Sequence, residues 1–161
     1  MVRHAKSSWK DLSLMDADRP LNKRGKRDAP FMAKLIADQI QRPDALISSP
    51  ARRAFTTATH FVKAWGGSKK EIISKRFIYG AYHMDILEMI QKLDTTWQTV
   101  FIFGHNPTFT DFVNLFPGGG HIANVPTCGV VALESTANDW DSFSTENTRV
   151  VHFYYPKQYF V

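Results

Sequence analysis

The chain has 161 residues, 43% of them hydrophobic, and a net charge of +5. That length suits a single domain, 1–161, able to bury a core of its own. No apolar run approaches the ~18 residues of a membrane span, the N-terminus lacks a signal peptide's charged-then-apolar layout, and the one cysteine, Cys128, cannot form an internal disulfide, so a cytoplasmic protein is expected. The basic excess gathers in Lys23-Arg24-Gly25-Lys26-Arg27 and Lys69-Lys70, while the aromatic residues fall mostly inside apolar runs such as Val100-Phe101-Ile102-Phe103. Nucleic-acid binding would want exposed aromatics among the basic residues, so a solvated basic rim is the expectation.

Along the chain, apolar runs alternate with helical patterns. Only Met1 and Val2 precede Arg3-His4, fewer than the ~5 residues of an ordinary strand, so either the chain starts unusually late or N-terminal strand residues are missing. Residues 22–41 carry Ala29, Ala33, Ile36 and Ile40 at helical spacing, with Pro30 predicting a kink or a second helix start. Residues 44–48 read as a short buried strand. A helix follows from Pro50 to about Trp65, stopped by Gly66-Gly67. Residues 72–79 are β-rich, 84–93 form a helix face, and 99–103 is the strongest strand. Residues 108–116 make a short helix, ended by a loop at Pro117-Gly118-Gly119-Gly120. Residues 130–134 and 150–155 finish as strands, and Cys128 reads as part of the first of them, a buried packing residue rather than a reactive one. The order β-α-β-α-β-α-β-α-β-β predicts a three-layer α/β/α domain with a mainly parallel central sheet and its chemistry at the strands' C-terminal ends.

Three short motifs stand after apolar runs: Arg3-His4, Ser48-Ser49-Pro50-Ala51-Arg52-Arg53-Ala54, and Gly104-His105-Asn106-Pro107; Asp18-Arg19-Pro20-Leu21-Asn22-Lys23-Arg24-Gly25 lies between the first two. Two histidines and two arginines so placed form a consistent phosphoryl-transfer set. One imidazole attacks phosphorus, and the guanidinium groups and second imidazole neutralise its oxygens. His4, His105 and His121 have no metal-ligand spacing, and no metal or other cofactor is expected.

On these motifs the chain resembles the histidine phosphatase superfamily, whose signature is Arg-His-Gly near the N-terminus, and within it the SixA-type phosphohistidine phosphatases, where Arg-His-Ala-Lys-Ser is common. The resemblance covers at least residues 1–115 and implies a phosphoglycerate mutase-like fold. It implies that His4 is the phosphorylated nucleophile, that Arg3 and Arg53 bind the phosphoryl oxygens, and that His105 stabilises them from the other side. Arg53 is preferred to Arg52 because it precedes Ala54, Thr57 and Ala58, the family's Ala-x-x-Thr-Ala tail. Lys10, where the larger family has Asn, and Asn106 are the candidate substrate-binding residues. The physics of histidine agrees with these roles. A neutral ring nitrogen is the nucleophile, flanking guanidinium groups disfavour the imidazolium, and a backbone carbonyl bonded to the other nitrogen would fix the tautomer.

Many relatives carry a glutamate as general acid after the third strand. The matching stretch, 77–85, has none; Asp85 and His83 are the possible substitutes, with Asp85 better placed to cap the following helix. An imidazole can leave protonated and an anhydride leaves as a stable anion, whereas an alkoxide needs an acid. The expected function is therefore metal-independent removal of phosphate from phosphohistidine on a signalling protein. The alternatives are a phosphatase of small phosphorylated metabolites and a catalytically weak phosphoprotein-binding module. The expected partner is a phosphorylated protein or small phosphorylated substrate, with no nucleic acid and no membrane, and a monomer is the favoured state.

Overall fold

A computed structural model describes residues 1–160. The strands are β1 (Val2–Arg3), β2 (Ala45–Ser48), β3 (Ile72–Ser74), β4 (Val100–Gly104), β5 (Val130–Ser135) and β6 (Thr148–Tyr154). Between them lie the helices α1 (Lys23–Ala37), α2 (Arg52–Ala64), α3 (His83–Gln91) and α4 (Thr108–Val113), so the elements follow in the expected order. They form one six-stranded sheet in the order β3-β2-β4-β1-β5-β6. β1, β2, β3 and β4 are mutually parallel, and β5 runs antiparallel to both β1 and β6. β5 alone therefore points the other way.

Alternation along the strands builds the two outer layers. Val2, Leu46, Phe101, Phe103 and Val130 pack with Ala29, Met32, Ile36, Phe61 and Val62 of α1 and α2. Their neighbours Ile47, Ile102 and Val131 join Ile86 and Ile90 of α3 and Phe109 and Phe112 of α4. Each central strand is thus apolar on both faces, as a covered parallel sheet demands. Among the described residues, no helix is long and apolar enough to cross a membrane.

Several local expectations are corrected. α1 is one helix through Pro30, so no second helix starts there, and it begins on Asn22, whose side chain accepts from Gly25 N at 2.9 Å. The β-rich stretch 72–79 is a strand only to Ser74. Its pairing partner β2 ends at Ser48, the last bond runs from Lys75 N to Ser48 O, and a 3₁₀ turn over Arg76–Gly80 follows. Cys128 is not in β5 but just before it, at φ 61°, buried, with its backbone N–H shared between the carbonyls of Arg3 and His4 at 3.1 Å. Its thiol is pushed up from the ordinary value by burial and by the charge of Asp28, which suits packing and not reaction.

The first strand holds only two residues, yet it is paired on both sides, to Phe103 and Gly104 of β4 and to Val130 of β5.

Candidate active site

The register of three adjacent strands assembles the site. Arg3 is paired with Gly104, so His4 and His105, each the next residue in its chain, leave the sheet side by side with ring centroids 5.2 Å apart. The backbone bonds His4 N to Gly104 O and Ser49 N to Phe103 O, both 3.0 Å, carry this alignment one step past the strand ends. β2 lies next to β4 and delivers Ser49 to the same place, where its Oγ is 2.8 Å from His105 Nε2.

The segment after His4 is held from two helices. Ala5 N donates to Thr57 Oγ1 at 3.0 Å, and that hydroxyl donates to Arg53 O at 2.7 Å, so one threonine of α2 fixes both the loop and the backbone that carries Arg53. From α1, Asn22 N donates to Lys6 O at 2.9 Å. A Cβ at Gly25 would lie 2.2 Å from that same carbonyl oxygen, so only glycine lets α1 approach this closely.

His4 Nδ1 lies 2.8 Å from Ala5 O, an atom that can only accept, so Nδ1 carries the proton and Nε2 presents its lone pair. Arg53 Nε donates to that Nε2 at 3.3 Å. Burial chiefly pulls the His4 pKa down to about 3, opposed by the Ala5 bond and helped to a lesser degree by His105, Arg53 and Arg3. Burial and the same two arginines, partly opposed by Asp16, lower His105 to about 4. Both imidazoles are neutral at physiological pH.

Ser49 Oγ accepts from Ala51 N at 3.2 Å and pairs with His105 Nε2 at 2.8 Å, as donor or as acceptor according to the His105 tautomer. His105 Nδ1 is buried and without a partner. The other two buried side-chain polar atoms of the described residues that lack partners are Arg3 Nε and Asn106 Oδ1. All three lie on residues expected at this site.

Each expected residue can now be placed. Arg53 is buried against His4 while Arg52, one position earlier on α2, is exposed. Arg3 donates through Nη1 to Val125 O at 2.7 Å and to Asn124 Oδ1 at 3.3 Å. Asn106 reaches the same two groups at 3.1 and 2.9 Å, so it braces the loop that supports Arg3. Lys10 is exposed, and only its backbone N–H is engaged, by Ser8 Oγ at 3.1 Å. Asp85 accepts from Tyr82 N at 2.7 Å at the start of α3, a helix-capping position.

Two participants carried no signal in the sequence. Asp16 binds Arg53 twice, accepting from Nη1 on its backbone oxygen at 2.6 Å and from Nη2 on Oδ2 at 2.9 Å. Tyr79 stands edge-on to the His105 ring at 5.5 Å and donates its hydroxyl to Asp16. Both lie on irregular segments, where no periodicity exposes them.

Comparison with known proteins agrees with this geometry. The family model of the histidine phosphatase superfamily (branch 1) matches residues 1–78. A protein of Agrobacterium tumefaciens put forward as the phosphohistidine phosphatase SixA is 30% identical, with 96% of this chain and 95% of that one aligned at a TM-score of 0.79. The protein histidine phosphatase SixA solved with tungstate shares the fold at a TM-score of 0.76 and 19% identity, over 94% of this chain and 92% of its own. A mycobacterial glucosyl-3-phosphoglycerate phosphatase does so at 0.62 and 15% identity, over 93% and 95%. The chain belongs to the histidine phosphatase superfamily and is a phosphatase. Within that superfamily its branch is the SixA type.

Proposed function

We propose that this phosphatase removes the phosphoryl group from phosphohistidine on a signalling protein, with His4 as the nucleophile. The observation that carries the reading is His4 Nε2, free of a proton and bonded by Arg53, beside His105 and with buried polar atoms of Arg3 and His105 left unpaired. Arg53 Nε donates at 3.3 Å to the Nε2 lone pair that the Ala5 O bond leaves free of a proton, the His105 ring lies 5.2 Å from that of His4, and Arg3 Nε and His105 Nδ1 are buried without partners. The Nε2 pair forms the new N–P bond as the bond from phosphorus to the substrate imidazole breaks, and that imidazole, already protonated on its other ring nitrogen, takes the P–N electron pair and departs neutral. Water then attacks phosphorus, the N–P bond breaks with its electron pair returning to Nε2, and the proton shed by the water passes to the released phosphate or to solvent. Arg3, Arg53 and His105 supply charge stabilisation of the kind a metal would otherwise give.

Support for a protein substrate comes from the surroundings. The loop after His4 exposes Trp9, Leu12 and Met15, and the segment carrying Tyr79 exposes Phe77, Tyr82 and Met84. Such side chains fit a partner's surface better than a free sugar phosphate. A cavity of about 700 Å³ does exist, but it lies between β3 and α3, lined by Ile73, Phe77, Met89 and Trp97, and none of the four proposed phosphate-binding side chains borders it.

The test is a panel of a phosphohistidine-bearing protein, a small diphosphate, an aryl phosphate and phosphoserine, compared by kcat/KM with and without chelator. Phosphohistidine and aryl phosphate should lead, phosphoserine should lag by about 10²-fold, and chelator should change nothing. Preference for the small diphosphate would replace this reading with the metabolite one.

A further inference from the structure

Both terminal nitrogens of the Arg53 guanidinium are engaged by one residue. Nη1 donates to the Asp16 carbonyl and Nη2 to its carboxylate, which leaves the side edge bearing Nε turned to His4. Asp16 is itself held: Oδ1 accepts from Arg19 Nε at 3.0 Å, and the Tyr79 hydroxyl donates to Oδ2. Arg19 in turn is buried, bonded through Nη1 to Ser7 Oγ at 2.8 Å and stacked 3.5 Å from the centre of the Trp9 ring. A long side chain with four rotatable bonds, sharing a pocket with a second guanidinium, would otherwise swing toward solvent.

We propose that Asp16 is the positioning residue of this phosphatase, acting through Arg53 by gripping the far end of its guanidinium so that the near edge meets the phosphoryl group on His4. The proposal rests on Arg53 being a phosphate ligand. Asp16 makes no hydrogen bond to either imidazole and so is not itself catalytic. The bonds from Tyr79, Arg53 and Arg19 hold its carboxyl below the ordinary carboxylate range, so it stays anionic through any neutral assay and has no proton to give a leaving group. Its grip is electrostatic and geometric, and both parts are separable by mutation.

A double-mutant cycle on aryl phosphate hydrolysis decides the matter, with the melting temperature of each variant recorded. Asp16→Ala should lower kcat/KM about 10²-fold, Arg53→Ala by at least as much, and the double variant should match Arg53→Ala within about threefold. Asp16→Asn, which keeps an oxygen for Nη2, should recover about tenfold of the Asp16→Ala loss. Asp11→Ala, on the same loop but bonded only to Ser13, should behave as the parent protein. Losses that multiply in the double variant would overturn the proposal, as would an Asp16→Ala enzyme within threefold of normal. If Asp16→Ala does not fold, the cycle is run with Asp16→Asn, whose effect must likewise vanish in the Arg53→Ala background. An Arg53→Ala enzyme of normal activity would remove the phosphate-ligand reading instead, which no other outcome does.

Discussion

Arg3, His4, Ser49 and His105 hang from the ends of three neighbouring strands, whereas Asp16, Arg19 and Tyr79 reach the same place from irregular segments. On the strand side, positions follow from pairing register. Once Arg3 is opposite Gly104, the two histidines have to emerge together. On the loop side, position depends on a chain of polar contacts running from Trp9 and Arg19 through Asp16 to Arg53 and Tyr79. On the proposed mechanism the first side holds the reacting atoms, and the second aims a ligand at them. Damage should therefore be deepest on the strand side and graded on the loop side.

The largest expected effect is that of His4→Ala. Rapid quenching with labelled substrate should trap acid-labile phosphate on the parent protein and none on the variant, and turnover should fall to the background of the assay. Equal labelling of the variant would place the nucleophile elsewhere and dissolve the contrast between the two sides.

Arg53 belongs to both, since α2 carries it while Asp16 holds its end. Arg53→Ala should lower kcat/KM by about 10²–10³-fold, the usual size of a lost charged contact to a transition state, and Arg52→Ala by less than about threefold. The reverse ranking would mean that the register of α2 in the working enzyme differs from the one in which Arg53 is buried and Arg52 exposed.

The same division decides what could be read from the sequence. Alternating apolar strands, helical spacing and glycine stops suffice for the order of elements, because each reports a local periodicity that tertiary packing then uses. Arg3, His4, Arg53 and His105 are legible because they follow such segments directly. Asp16 and Tyr79 are not: one opens a three-residue 3₁₀ turn and the other lies in a stretch whose β-rich composition points to a strand that ends for want of a partner. Cys128 misleads in a similar way, since its apolar neighbours suggest β5 while the backbone there turns to φ 61° to reach the carbonyls after β1. Ser49 stands in a recognised motif, but its bond to His105 depends on β2 lying beside β4, and that is a fact of sheet order.

The smallest expected effect tests the loop side where an acid would be most welcome. Asp85 lies in the stretch where many relatives carry a glutamate, but its Oδ2 is occupied by Tyr82 N, and Asp85 N and Ile86 N both donate to Tyr82 O, an ordinary first turn of a helix. A carboxylate there interacts with the positive end of α3. Asp85→Asn keeps an acceptor and loses the charge, so the melting temperature should fall by only about 1–4 °C. The ratio of aryl phosphate to phosphoserine turnover should not move, because an amide and a carboxylate cap the same N–H and neither protonates a leaving group from that position. A selective collapse of phosphoserine turnover with aryl phosphate spared would make Asp85 the acid. The protein would then handle alkoxide leaving groups by design, and small phosphate esters would displace phosphohistidine as its expected substrates.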